Sequence, residues 1–563
     1  NAVDLRSVPW NSYSFPRKEL IYTFIIECKS GFDISVVTYH APRILSMEFC
    51  GDNNSIDVVA ELNHNNLRSQ QYFNTMNKLK FSTIGKIDVL LAFLLPLLVF
   101  IILARTPQDA DMWWHLRAGQ DMWQSKSILL TDTFSYTRYG QPWVNAFWIS
   151  EIIFYLSYKL GEYLAITALV ALTGATTFYY LFQRMEGNKF VNAFIIILAT
   201  ITAAPIWSPR PQIFSFLILA LLDGWLNQIQ KNNKGPLWIL ILVFALWANI
   251  HGGWIWGFLL LAAYIVGIAL NNLSKEDLTI SANWKFLLQL IFWSLLAGLA
   301  IGLNPNGISI WRLPFTTANV SMQIQEWASP DFHQMEFQPL LWMLFLLLVT
   351  AVLAKPKMNW VSLLKIIGFA YLTFVSERSI AVFAIIAAPT LAEWTNGAIE
   401  NIKANLSIHI DKEAAPLFSE RINIILNATL LVLIVLTALG RVYLASTPTE
   451  VNKNVPVGAV EWLKENKAGG HLFNSYNWGG YLAWSLPQSP VFIDGRADLF
   501  GNELINDWWN VVDGTPQGFA ILDQWKVQTI LLEPSWPIIK LLPSAGWREV
   551  YQDQMAVIFI REK

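Results

Sequence analysis

Charge is scarce in this chain. Of its 563 residues only 14% are charged while 54% are hydrophobic, a balance that excludes most soluble domains and points to a polytopic membrane protein. Basic runs are absent and the net charge is −2, so the charge pattern gives no support to a nucleic-acid partner. Cysteine is nearly missing: Cys28 and Cys50 are the two present, which excludes a disulfide framework or a thiolate metal cluster over most of the chain. A lipid or polysaccharide transporter would require charges in mid-span and inverted repeats, and neither is found. Tryptophan, in contrast, is plentiful at 27 residues.

Residues 1–75 contain no run long enough to cross a bilayer; the longest apolar stretch is "IYTFII". The segment "MNKLKFSTIGKIDVLLAFLLPLLVFIILA" from Met76 reads as a natural start with lysines before a first hydrophobic helix, kept as an anchor rather than a cleaved signal. Residues 1–75 are accordingly expected to be an upstream extension or a small cytoplasmic segment. Spans of about 17 to 25 apolar residues fall near 87–104, 163–182, 190–207, 213–229, 236–250, 254–271, 286–303, 339–354, 361–376, 380–394 and 422–444, about eleven in all.

The status of 146–160, "AFWISEIIFYLSYKL", sets the sidedness of every later loop. If it does not cross, one set of loops collects Lys78, Lys80, Lys86, Arg184, Lys189, Lys231, Lys234, Lys275, Lys285, Lys355, Lys357, Lys403, Lys412 and Arg421, and the other set holds almost no lysine. That asymmetry is the positive-inside pattern, and Glu151 within the segment argues against lipid exposure. The expected protein is therefore a polytopic α-helical membrane protein of about eleven spans, N-terminus cytoplasmic, with the domain 76–445 in the membrane and 446–563 outside. The loop 105–162 is then external, with 146–160 lying partly in the interface.

This topology puts every chemically unusual loop on one face: "DADMWWHLRAG" (109–119), "SPRPQ" (208–212), "NIHGGW" (249–254), "NPNG" (304–307), "IQEWASPDF" (324–332) and "SERS" (376–379). The basic residues there are mostly arginine: Arg105, Arg117, Arg138, Arg210, Arg312 and Arg378. A guanidinium fork suits a phosphate; the structural alternative is anchoring to lipid headgroups. Asp109 and Asp111 are candidates for a general base, or for hard oxygen ligands to a divalent cation, Mg or Mn; the alternative is capping of a helix start. Trp113 and Trp114 either stack on a substrate or form an interfacial belt. His115, four residues after Asp111, can share its helical face, and His251 sits where Gly252 and Gly253 break a helix. Arg210, Arg312 and Arg378 are the candidates for a lipid phosphate.

With an acidic loop after the first span, a half-embedded helix and a soluble tail on the same side, the chain resembles the GT-C glycosyltransferases. The motifs "DADMWWHLRAG", "TDTFSYTRYGQPWV", "WANIHGGW", "LNPNG", "EWASPDF", "WGGYL" and "VFIDGRADLFG" are similar in order to those of a group of bacterial GT-C-like proteins, over about 105–563. The family is distantly similar to protein mannosyltransferases and to the catalytic subunits of oligosaccharyltransferases. The resemblance implies transfer of a sugar from a polyprenyl-phosphate donor to a glycan, lipid or protein acceptor, at the external face of a bacterial plasma membrane. It makes 112–124 and 146–160 the two juxtamembrane helices of the external loop, and Glu326 comparable to the mobile-loop glutamate of oligosaccharyltransferases. One departure stands out: where such relatives carry an acidic or His-Glu pair after "PWV", this chain reads Asn145, Ala146, Phe147, which leaves a catalytically inactive scaffold as the alternative.

The tail alternates helical and strand-like stretches: "VGAVEWLKENK", "HLFNS", "WGGYLAWSL", "VFIDG", "TILLE", "REVYQ" and "AVIFI", an α/β pattern. Trp478, in "NWGGYL", is set by the resemblance beside an acceptor-recognition motif whose Asp is glycine here. Asp494 and Arg496 are candidates for substrate contact, or for an ion-pair brace of this domain onto the membrane face.

Overall fold

The structure, a computed structural model, describes residues 87–274, 282–320, 325–357, 359–406, 419–466 and 469–562. The segment 1–75 and the start at Met76 lie outside the described residues. Each segment read above as a span is helical. Among the described residues eight helices are long and apolar enough to cross a membrane, and Leu90–Leu103, Ile239–Ile250 and Trp360–Val375 are apolar but shorter. The chain is a multi-pass membrane protein.

Burial sorts the helices. Ile380–Asn405 is buried continuously from Ile380 to Ala388, so it has no polar or lipid face there and forms the axis of the bundle. Lys189–Ala203, Gln338–Ala354 and Trp360–Val375 pack around it. Glu420–Ala445 is the opposite case. Ile425 (64% exposed), Leu436 (59%) and Leu439 (63%) point away from the protein, the pattern of an outer helix solvated by lipid. It rests on Ile87–Leu103 and Trp148–Arg184.

The ambiguous segment 146–160 is the first limb of Trp148–Arg184. The helix breaks at Gly161 and Glu162, where Glu162 turns to φ 49° and ψ −136°, and the limb beyond the break is the apolar one. The first limb packs against Met112–Ser125, the helix that carries most of "DADMWWHLRAG".

One expectation about the bundle fails. Asp223, within Gln212–Asn232, is buried and charged; Lys365 Nζ lies 2.7 Å from its Oδ1 and Arg184 Nη2 3.0 Å from its Oδ2. Tyr264 donates to the same carboxylate at 3.1 Å. Mid-span charge is therefore present, overlooked because Asp223 and Lys365 are single letters in apolar runs. This staple ties together four helices about 16 Å along the axis from Gln212, and each cation satisfies an otherwise costly buried carboxylate.

The C-terminal region forms a four-stranded sheet, order β1-β2-β4-β3, with β1 His471–Asn474, β2 Val527–Leu532, β3 Trp547–Gln552 and β4 Val557–Arg561. β1 and β2 are parallel, the other pairs antiparallel. Alternating apolar side chains bury Phe473, Ile530 and Phe559 beneath Ala497–Val512 and Pro516–Gln524. The expected strand at "VFIDG" is not one: Val491 makes only isolated bridges, to Ser135 and to Leu472. The first of these joins the loop after Met112–Ser125 to the C-terminal domain.

Candidate active site

A cavity of about 850 Å³ opens where loop 105–147, the helix ends and the C-terminal domain meet. Its charged centre is Arg210, in the turn before Gln212–Asn232. Arg210 Nε lies 2.6 Å from Asp109, Nη2 3.3 Å from Asp111 and Nη1 2.7 Å from Glu326. A planar fork of five N–H donors is the side chain that can satisfy carboxylates in three directions at once. Arg378 Nε reaches the same Glu326 at 3.2 Å and lies over Trp327. In this structure the anionic partners of Arg210, a candidate for the lipid phosphate, are carboxylates of the chain itself. Arg312 does not join the group; it is exposed and outside the cavity lining.

Asp111 occupies the N-cap position of Met112–Ser125 without a capping side-chain bond. Its Oδ1 accepts instead from the Trp114 indole at 3.0 Å. Asp109 closes the turn ahead of the helix, accepting from the Asp111 amide at 2.9 Å. Burial raises the Asp111 carboxyl, and Asp109 and Glu326 add to this against the pull of Arg210, leaving it at about 6. Burial acts upward on Glu326 too, but Arg210 and Arg378 outweigh it and hold that carboxyl below its ordinary value. One carboxyl poised near neutrality beside one held ionised is a division of acid-base labour.

His115 points to a partner other than Asp111. Its Nδ1 is 3.1 Å from Oε1 of Glu151, whose Oε2 accepts from Asn145 Nδ2 at 2.8 Å. A His-Glu pair therefore exists, assembled across two helices, although positions 146 and 147 are Ala and Phe. The letters Glu151 and Asn145 do not reveal this pairing, which depends on the packing of 148–160 against Met112–Ser125. Burial and the nearby Arg210 hold His115 well below 6.5, so its ring is neutral.

His251 lies at the extended break between Ile239–Ile250 and Trp254–Leu273. Its Nδ1 accepts from the Gly253 amide at 2.9 Å and is 2.8 Å from Ser215 Oγ, which accepts from Trp247 at 2.7 Å. With Nδ1 accepting, the neutral ring carries its proton on Nε2. Burial, with Arg378 adding, lowers it to about 3. A neutral donor therefore lines the cavity near Arg378.

Three other candidates are engaged in contacts within the protein: Trp113, Arg117 and Trp478. Trp113 is 1% exposed and packs edge-on against Tyr163 and Tyr481; Trp114 is the one that lines the cavity. Arg117 pairs with Asp121 at 2.9 Å and donates to the Ala483 carbonyl at 3.0 Å, fastening helix to C-terminal domain. Trp478 is buried and donates to the Asn454 carbonyl; its neighbours Tyr476 and Asn477 reach the cavity.

Arg496 joins the two halves of the site. Its Nη2 lies 2.6 Å from Asp132 and 2.7 Å from Asp494, all three side chains fully buried. The guanidinium is sandwiched by Phe134 and Trp143. Glycine permits the approach: a Cβ on Gly495 would stand 1.9 Å from Asp111 Oδ1, and one on Gly480 2.6 Å from the Ala110 carbonyl. The motifs "WGGYL" and "FIDGRADLF" are dense because they press directly on "DADMWW".

The divalent cation fares less well. Asp109 and Asp111 already turn their oxygens to Arg210, and among the described residues no group of three or more His, Cys, Asp or Glu side chains is arranged to hold a metal ion. The donor set does not fit a metal centre.

No family model and no curated protein matches the chain. Solved structures do. The crystal structure of the Archaeoglobus fulgidus oligosaccharyltransferase tethered to an acceptor peptide with the NVT sequon is 13% identical, with a TM-score of 0.52 over 85% of this chain and 74% of that one. Its apo form gives 11%, 0.50, 78% and 69%. The same enzyme with an inhibitory peptide and a dolichol-phosphate gives 12%, 0.51, 84% and 74%. The chain has the fold of that archaeal oligosaccharyltransferase.

Proposed function

We propose that this protein is a membrane glycosyltransferase that moves a sugar from a polyprenyl-phosphate-linked donor to an acceptor hydroxyl or amide. The archaeal enzyme of this fold binds dolichol-phosphate. The observation that carries the reading is the cavity in which Asp111, Arg210 and Glu326 meet beneath a C-terminal domain. The lysine asymmetry supports placing this cavity on the external face of a bacterial plasma membrane, with the N-terminus cytoplasmic.

In this reading Asp111 takes the proton from the acceptor as its oxygen or nitrogen bonds to the anomeric carbon. The bond from that carbon to the phosphate oxygen breaks, and the charge stays on the lipid phosphate. Arg378 and the His251 Nε2–H receive that charge. Arg210 holds Asp109, Asp111 and Glu326 in register, and the C-terminal domain excludes water. The apolar wall of Ile255, Leu259, Leu313, Leu372 and Val375 suits a prenyl chain entering from the helices. The rival reading, an inactive scaffold, rests on Ala146 and Phe147; the His115–Glu151 pair weakens it.

The test is transfer of radiolabelled sugar from polyprenyl phosphate in proteoliposomes. Asp111→Asn is expected to lose at least about 100-fold, the lower range for a general base. Undiminished transfer by both Asp109→Ala and Asp111→Ala would sink the mechanism.

A further inference from the structure

The cavity has two unlike walls. The helix side carries an aliphatic strip, Ile255, Leu259, Leu313, Leu372 and Val375, with Trp256 and Trp327 as separate rings beside it. The side contributed by the C-terminal domain is aromatic and polar: Trp508 and Trp509 on Ala497–Val512, Trp536 after β2, and Asp498 and Asn477 beside them. None of these residues belongs to the carboxylate–arginine cluster.

The three indoles meet edge to face, with centroids 5.0, 5.4 and 5.8 Å apart and interplanar angles of 76°, 85° and 76°. Trp508 donates its N–H to the Asn474 carbonyl at 2.9 Å. Trp536 donates to Glu533 Oε2 at 2.7 Å, and Ser475 fixes the other oxygen of that carboxylate at 2.7 Å. Both N–H groups are thus directed into the domain, and the rings are held rigidly. Trp509 remains 38% exposed, an open aromatic surface at small entropic cost on binding. Burial raises the Asp498 carboxyl, and this side chain supplies a polar group to the same cavity.

A rigid aromatic face flanked by a carboxyl and an amide matches a sugar ring, with its C–H face and its rim of hydroxyls. A prenyl chain asks for the aliphatic strip opposite. An interfacial tryptophan belt would face lipid instead of the cavity that holds Asp111. We infer that Trp509 and Trp536, with Asp498 and Asn477, form an acceptor subsite for a saccharide, so that the acceptor is a glycan or glycolipid and not a bare peptide. This rests on the transfer reading above.

The experiment measures binding without donor. Full-length protein in detergent is mixed with chitotriose, maltotriose, mannotriose or cellotriose, and with a blocked Asn-Val-Thr peptide, and observed by saturation-transfer difference NMR. At least one trisaccharide is expected to bind, Trp509→Ala and Trp536→Ala each to weaken it tenfold or more, and Trp509→Phe to retain most of it. Trp123→Ala, an exposed ring outside the cavity (36% exposed), leaves binding unchanged. If Trp536→Ala does not fold, the surface variant Trp509→Ala decides. No trisaccharide bound, equal binding by Trp509→Ala, or binding of the peptide alone overturns the inference. Transfer to the peptide with no saccharide bound would overturn it while leaving the transferase reading intact. Saccharide binding with no transfer from any polyprenyl-phosphate sugar would do the reverse.

Discussion

Replacing Arg210 by Gln removes the cation from three carboxylates while keeping some hydrogen-bonding capacity. The Arg210, Asp109 and Asp111 side chains are only 13%, 9% and 16% exposed, so solvent does little to compensate; Glu326 at 37% relaxes into water and is left out of the estimate. Removing one partner of a buried pair costs about 3–5 kcal/mol, which sets the expected loss at pH 7.5. The loss depends on pH with a definite sign. With Arg210 present, Asp111 sits at about 6 against an ordinary 3.8; without it the folded value rises further. A carboxyl raised in the folded state favours folding most below its unfolded value, and that contribution fades as the pH climbs toward the folded value. Wild type and variant lose this contribution equally up to about 6, so the deficit of the variant shrinks on acidification only between its own higher value and about 6, by about 1.4 kcal/mol per pH unit for one carboxyl. Reversible SDS unfolding followed by helical circular dichroism at pH 5 and 7.5 reads both quantities. A deficit below about 1 kcal/mol, or one equal at the two pH values, would refute the view that Arg210 clamps buried charge.

Other outcomes follow from the same geometry. Transfer by the wild type should fall on the acid side with a midpoint at about 6, and an acid limb near 4 would remove Asp111 as the base. His251→Ala deletes one donor to a charged phosphate, worth about 1.5–3 kcal/mol, so the donor KM should rise about tenfold or more; an unchanged KM places the phosphate elsewhere. Arg496→Ala leaves Asp132 and Asp494 buried without their cation, at a cost of about 3–5 kcal/mol. Hydrogen exchange should then accelerate in 131–138 and 491–497 together, and protection retained in both would refute the brace. Gly495→Ala should impair transfer by displacing Asp111 while leaving the fold of β1–β4 intact, as judged by exchange protection of Val527–Leu532.

Much of this site was legible in the letters, because charge in an apolar chain has few permitted places. Asp111, Arg210, Glu326 and Arg378 stand in separate loops of the sequence and line one cavity in the structure, with Asp109 paired to Arg210. Their pairing was not legible: which anion an arginine meets depends on helix ends whose relative height no periodicity records. Arg312 shows the limit, sharing composition and sidedness with Arg378 yet ending exposed. Strand-like letters misled at "VFIDG", whose apolar run lies between β1 and the loop at 134–136 and makes only isolated bridges to each. Glu151 was noticed as a misfit in a greasy segment, but its partner His115 emerges only from tertiary packing.

The contact between 131–138 and the C-terminal domain has a consequence in time. Val491 bonds to Phe134 and Tyr136, and Arg138 to Phe500, 362 residues further along the chain. A ribosome delivers Asp132 and the "DADMWW" helix long before Arg496, so during synthesis the carboxylates of the first loop stand without the C-terminal domain over them and without their brace. The cavity closes last. A chain arrested before residue 491 would have Asp109, Asp111, Arg210, Glu326 and Arg378 in place and no closed cavity around them.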